Sequence, residues 1–491
     1  MIKHFFVLLL IAITSFPAIA QTDYHITDFG AVDDGIYLNT KIIQSAIDFV
    51  SENGGGRLIF PSGKYLTGSI YLKSDVTLHL EQNAIILGST NPLDYVKDPY
   101  VRWMSLIFAI KQNNIGITGA GTIDGQGFAT AYNQCENIHK GLFNDNLRND
   151  RPNETNRPEN IYFRECTNVL VEGITLKDPA SWNQTYDRCI NVTVQNITVD
   201  SKSYWNNDGI DIVDCNGVIV RNCDMDAADD VFCLKSHNKD CICQNVVIEN
   251  CRGRSSANGL KFGTVSQGGF KNITIRNLEI YDTYRSAITL AAVDGGIIED
   301  VDIDGVRAIN TGNAIYLRTG KRNKDERIGT MNNVLIKNVY VEVPATKPDK
   351  GYSYEGPVED LPRNISPAGI VGIEDSHIKN VTLENVEIIY PGRSDPNYAY
   401  CGTDKESLNS IPEMIASYPE FSQFKELPAW GLYIRHAENI TLKNVTLTAK
   451  EKEYRPAIVA DDVTTLKLEK INISEPDSKN KKQIIKNNVR K

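Results

Sequence analysis

Past its first twenty residues the sequence has no run of 18 consecutive apolar residues, so no membrane-spanning helix is expected. It has no cationic excess either. Fifty-two Lys and Arg stand against 62 Asp and Glu, a formal net charge of −10. That argues against a nucleic-acid partner, although local cationic groups can still serve an anionic ligand. There is no glycine-rich phosphate loop, no Ser-His-Asp order and no zinc motif. The spacing of leucine-rich repeats is missing. So are the hairpin turns and the blades of roughly 40 to 50 residues that a β-propeller requires. No cofactor or metal is therefore expected. The nearest approach to a metal set is Cys241-Ile242-Cys243 with His237, which lacks a fourth ligand.

A leader-like segment opens the chain: Lys3, an apolar run from Phe5 to Ile13, then Ala18-Ile19-Ala20. It reads as a signal peptide over residues 1–20, cleaved before Gln21, and predicts a secreted or periplasmic protein. Ten cysteines in an exported chain suggest disulfides. Here Cys166, Cys189, Cys215, Cys223 and Cys251 sit at similar places in a repeat, and stacked small apolar residues explain them better.

That repeat organises the chain. A nine-residue pattern, apolar at alternate positions with Asn or another polar residue between, recurs at Asn168, Asn191, Gly217, Asn245, Asn272, Gly296, Asn333, Asn380 and Asn439. Each unit reads as a short strand, a bend at Asn or Gly, and another short strand. No unit can bury its apolar face alone, so the pattern predicts a parallel β-helix whose stacked coils share one core. The fold class is all-β, a single solenoid domain over residues 21–474. Residues 39–53 carry Ile42, Ile43, Ala46, Ile47 and Val50 at helical spacing, closed by Gly54-Gly55-Gly56. This amphipathic helix should cap the open end of the solenoid. Two insertions, Pro344–Asp375 and Tyr390–Trp430, should project over one face and wall off one end of a cleft. Residues 475–491, polar and lysine-rich, read as a frayed, disordered tail.

Within the repeat, Asp208 of Asn206-Asn207-Asp208-Gly209 and the pair Asp229-Asp230 lie one coil apart. Residues one period apart stack at about 4.8 Å, so three carboxylates crowd one patch. Crowded carboxylates split their pKa values, which supplies an acid and a base together, as cleavage of a glycosidic bond requires. The bland alternative makes Asp208 and Asp211 turn residues and Asp229-Asp230 a solvated corner.

These residues carry a resemblance. Asp28-Phe29-Gly30-Ala31, Asp33-Asp34-Gly35, the stretch Gly54 to Gly63 and Gly119 to Gly125 resemble the N-terminal signature of pectin-degrading β-helices, some of them lyases. The segment Asn206–Lys235 resembles the family 28 glycoside hydrolases, the polygalacturonase family. The likeness runs from about Tyr24 to about Leu447. It implies a right-handed parallel β-helix and hydrolysis with inversion, with Asp229 as general acid and Asp208 and Asp230 holding and deprotonating the water. The sequence departs from the family pattern further on. Asn258 stands at the family's histidine, in Asn258-Gly259-Leu260-Lys261, and Tyr316-Leu317-Arg318 stands at its Arg-Ile-Lys. Lys261 and Arg318 are the candidates to grip a uronate or sulfate. Asn258, Tyr316 and Asn206 belong with them, and Lys235 and His237 either line the cleft or cap a turn. Of Trp182 and Trp205, one should be core and the other free to stack on a sugar. The expected protein is a monomeric glycoside hydrolase acting on a pectin-like, uronic-acid-containing polysaccharide or oligosaccharide. The alternatives are a lyase on the same fold, with calcium on the acids and Lys261 or Arg318 as base, or a non-catalytic glycan-binding β-helix.

Overall fold

The structure, a computed structural model, describes residues 22–147, 151–349, 351–353, 366–392, 402–476 and 482–490. The expected leader lies outside these residues, as do parts of both insertions. Among the described residues the 29 strands join one sheet system by parallel pairing, each strand bonded to its counterpart one coil away. A typical coil has three: Gln184–Asp187, Ile190–Gln195 and Thr198–Ser201, followed one level up by Ile210–Val213, Asn216–Arg221 and Asp224–Ala227. This is the parallel β-helix that the repeat predicts.

The alternating pattern explains the core. Inward positions stack into ladders, one of which runs Val169, Val192, Val218, Val246, Ile273, Val301, Val334, Val381, Ile440 and Leu466. β-Branched side chains suit a pleated surface, and all but Leu466 are buried. Asparagine makes the corners. Asn168, Asn191, Asn245, Asn272, Asn333, Asn380 and Asn439 all have φ near +55°, a left-handed bend that Asn tolerates better than other side chains. Their amides stack as well: Asn191 donates to Asn168 at 3.2 Å and Asn439 to Asn380 at 2.6 Å.

The cysteines form two ladders, where the sequence suggests one. Cys166, Cys189, Cys215 and Cys243 occupy one corner, and Cys223 and Cys251 another. Both corners face the core and take apolar residues of any size, Phe270 following Cys243 and Leu278 following Cys251, so a single linear repeat does not distinguish them. All nine cysteines among the described residues are unbridged. Cys243 is sealed in the core and Cys241 is half-exposed, so the Cys-Ile-Cys motif does not converge with His237.

The capping helix spans Thr40–Glu52 and buries Ile43, Ala46, Ile47 and Val50. It stops where expected: a Cβ on Gly55 (φ +83°) would lie 2.5 Å from the Asp75 carbonyl oxygen, so only glycine fits. A second helix, Gly127–His139, was not legible, because its periodicity is weak. It sits over the coils at Pro179. The tail differs from expectation. Ile484–Arg490 is a strand paired with Ile458–Ser474. Ile484 and Val489 pack on the core, and Asn487 and Asn488 donate to Asp461 and Asp462. The polar, lysine-rich residues before it and Lys486, Asn487, Asn488 and Arg490 within it disguise a coil that covers an otherwise open strand edge.

Candidate active site

Strands Glu159–Arg164, Gln184–Asp187, Ile210–Val213, Phe232–Ser236 and Leu260–Ser266 are successive rungs of one sheet. Its outward side chains form a column: Tyr162, Thr185, Asp211, Cys233, Lys261, Thr289 and Tyr316. Lys261 therefore points away from Leu260 and Phe262, both of which are core.

The acids gather at the N-terminal ends of two rungs. The Gly209 amide donates to the Asp230 carbonyl at 2.9 Å and the Asp229 amide to the Asn207 carbonyl at 3.1 Å. Asp208 thus sits directly against Asp229 and Asp230. Carboxylate oxygens of Asp208 and Asp230 and the Cys233 sulfur lie within 4.8 Å of one another. Burial and then the neighbouring Asp211 push the Asp208 carboxyl well up. Burial and then Asp230 raise Asp229. Burial lifts Asp211 to about 6.

Lys235 holds this cluster together. Its Nζ donates to Asp208 Oδ2 at 3.0 Å and to Asp211 Oδ1, and lies 4.0 Å from the centre of the Trp182 ring. Burial works to strip its proton, but Asp208 and Asp211 keep it firmly cationic. Lys235 therefore neutralises acids. Among the described residues no group hydrogen-bonds Asp208 Oδ1, which is buried.

The other candidates separate. Asn258 belongs to the acids: its amide N–H and Nδ2 donate to Asp230 Oδ1 at 3.0 and 2.8 Å. Asn206 donates to Asp229 Oδ2 at 3.4 Å and accepts from the buried Arg157 at 2.8 Å. Lys261 is fully buried, and its Nζ donates to Glu420 of the late insertion at 2.9 Å. Arg285 donates to the same Glu420 oxygen at 3.0 Å. Arg318 is not a substrate cation. It is 1% exposed, and its guanidinium is spent on the carbonyls of Val371, Gly372, Glu413 and Met414. Its rung lies under the insertion, whose open carbonyls need donors. Tyr316 is likewise buried there, accepting from Gln423 and packing against Phe421. His237 is exposed, its ring 6.3 Å from that of Trp182. Trp182 is the buried tryptophan, 4.6 Å from Trp103, and Trp205 is half-buried.

Sequence reading missed Arg157, Glu159, Arg285 and Glu420. Arg157 clamps the carbonyls of Ala180 and Trp205 as well as Asn206. Glu159 is fully buried, and burial holds it protonated far above its usual range. Their partners lie in other coils, and nothing local marks them.

Stacked parallel coils with four carboxylates massed on one outer face define a carbohydrate-cleaving β-helix. The profile of the family described as "Glycosyl hydrolases family 28" matches residues 52–401, and the chain belongs to that family. It is 30% identical over 316 residues to a probable polygalacturonase of Vitis vinifera, covering 60% of this chain and 56% of the relative. It is also 30% identical over 247 residues to an exo-poly-alpha-D-galacturonosidase of Dickeya chrysanthemi, covering 42% of this chain and 40% of the relative. The matched part thus spans about half the length of these relatives or less. The Yersinia enterocolitica family 28 exopolygalacturonase shares the fold at a TM-score of 0.56 and 22% identity, covering 96% of this chain and 78% of that one.

Proposed function

We propose that this glycoside hydrolase cleaves galacturonic-acid-containing chains of pectin type by inverting hydrolysis, from chain ends, as an exported monomer. The carrying observation is the carboxylate cluster of Asp208, Asp211, Asp229 and Asp230 split by one lysine. Asp229, raised by burial and by Asp230, is suited to protonate the leaving oxygen. Asp208 and Asp230 converge within 4.8 Å and serve as the pair that orients and deprotonates water. Asn258 fixes Asp230 for this, and Lys235 keeps Asp208 and Asp211 from repelling each other apart.

The substrate class rests on the names of the two 30%-identical relatives, both galacturonan-directed. Lys261, the other expected substrate cation, is as buried as Arg318, and its charge is met by Glu420, which it shares with Arg285. Chain-end action is supported by the insertion, whose Leu408, Ile411, Phe421 and Phe424 pack on Tyr316, Val371, Tyr433 and Val459 of the same sheet. It thereby roofs the rungs beyond the acids. The lyase alternative loses its bases, since Lys261 and Arg318 are both buried and engaged.

Incubation with polygalacturonate and its oligomers tests the reading. Proton NMR of the first products should show the inverted anomer, and mass analysis should show release of one short unit at a time. Products with an ultraviolet-absorbing double bond would mean elimination, and retained configuration would remove the water-activating role of Asp208 and Asp230.

A further inference from the structure

A second cluster lies at a corner of the last coils. His377, His436, Asp462 and Asn488 stack in one column on successive turns, and His436, Asp462 and Asn488 share a left-handed φ near +50°. The two imidazoles are arranged alike. His377 turns Nε2 to Asp462 Oδ2 at 3.3 Å and Nδ1 toward Glu438 at 3.6 Å. His436 turns Nδ1 to the same Asp462 oxygen at 2.8 Å and Nε2 to Glu413 at 2.9 Å. Each ring therefore has one nitrogen facing a shared centre; the other nitrogen of His436 is hydrogen-bonded to Glu413, while that of His377 lies near Glu438 without a hydrogen bond among the described residues. Asp462 is backed too: its Oδ1 accepts from Asn488 at 2.8 Å and Arg490 at 3.1 Å, which leaves Oδ2 for the centre.

We propose that His377 Nε2, His436 Nδ1 and Asp462 Oδ2 bind a divalent transition-metal ion of the zinc type. At His436 the arrangement matches the carboxylate–histidine–metal pattern, in which an outer carboxylate, here Glu413, fixes the ring and raises its basicity. Zinc takes nitrogen at about 2.0–2.1 Å and carboxylate oxygen at about 2.0–2.2 Å in tetrahedral geometry, so its donors stand about 3.4 Å apart. The 3.3 Å separation of His377 and Asp462 has that value, and the His436–Asp462 separation reaches it by widening about half an ångström. Two imidazoles and one carboxylate suit zinc or its first-row neighbours rather than calcium or magnesium. The residues are only partly exposed, 17%, 10% and 18% at the side chain, so solvent can reach a fourth position. Glu413 belongs to the late insertion. The ion would thus tie the segment that roofs the sheet to the final coils. The other convergent set, Asp208, Asp230 and Cys233, belongs to the acid site already described.

The test uses the purified full chain, stripped with EDTA and titrated with ZnCl2 by calorimetry, with CoCl2 as a spectroscopic probe. Saturable one-to-one binding, a Tm that rises with zinc, and a cobalt d–d spectrum of tetrahedral type are expected. His377→Ala and His436→Ala should abolish the cobalt spectrum. Glu413→Gln, which keeps all three ligands, should weaken zinc binding about 10- to 100-fold. A parent chain that shows no saturable zinc binding overturns the proposal. So does binding that is unchanged in both histidine variants, which would place the ion elsewhere. Because the first measurement is made on the unaltered chain, a variant that fails to fold does not decide the matter.

Discussion

Asp229 illustrates how much chemistry one residue draws from its neighbours. Its carboxyl is raised by burial and by Asp230, and Asn206 donates to it. Asp229→Asn keeps the shape and one of the two acceptor oxygens, which take bonds from Asn206 and the Asp230 amide, but removes the acidic proton. Turnover should fall by about 10² to 10⁴ with the circular dichroism spectrum unchanged; a variant keeping half of the parent rate would remove the acid assignment. Asp214 offers a stability test away from the reaction. It is buried, accepts from Ser236 Oγ and from the His237 and Asn238 amides, and burial pushes it up to about 6. Between its unfolded value near 4 and 6, the folded chain holds a proton that the unfolded chain has lost. Its contribution to stability is thus complete below about pH 4 and is lost as pH rises to 6. The loss is about 3 kcal/mol at most. Urea midpoints measured across this window should fall less steeply for Asp214→Asn than for the parent.

The late insertion shows what an element can do that a repeat cannot. Its Glu420 is the shared partner of buried Lys261 and Arg285. Glu420→Gln leaves two cations short of their counter-charge and should destabilise the fold by about 3 to 5 kcal/mol, as loss of one partner from a buried pair does. In the double variant Glu420→Gln, Lys261→Met most of that loss should return, because one uncompensated charge goes as well. Thermal denaturation of the single and double variants reads the coupling directly. Equal Tm values for Glu420→Gln and the parent would mean that the insertion does not seal these cations.

At the scale of the molecule, a solenoid's stability is nearly a sum over coils and their interfaces. Among the described residues the strand Ile484–Arg490 forms the C-terminal such interface and covers Ile458–Ser474. A chain ending at Glu475 would expose that edge as a template for pairing with other chains. It should show a lower Tm, faster amide exchange confined to the final coils, and light scattering that grows with concentration. Exchange unchanged in residues 458–474 would show that this last strand does not protect them.

Residue pattern alone determined the fold class, the capping helix and the acids. Alternating Val and Ile, recurring Asn bends and a glycine-closed helical stretch are local signals, and a solenoid turns sequence period into spatial contact. Asp208 and Asp230 could be brought together on paper because they lie one coil apart. Arg318, Lys261, Glu420 and the His377–His436–Asp462 column could not be read in that way. Insertions break the period, so spacing no longer gives distance, and the insertion's carbonyls that occupy Arg318 have no counterpart in the repeat. Partners such as Lys261 and Glu420 are 159 residues apart. Only the folded chain decides which charges meet, because that depends on how an irregular segment packs back onto the sheet, and packing of this kind leaves no periodic trace in the sequence.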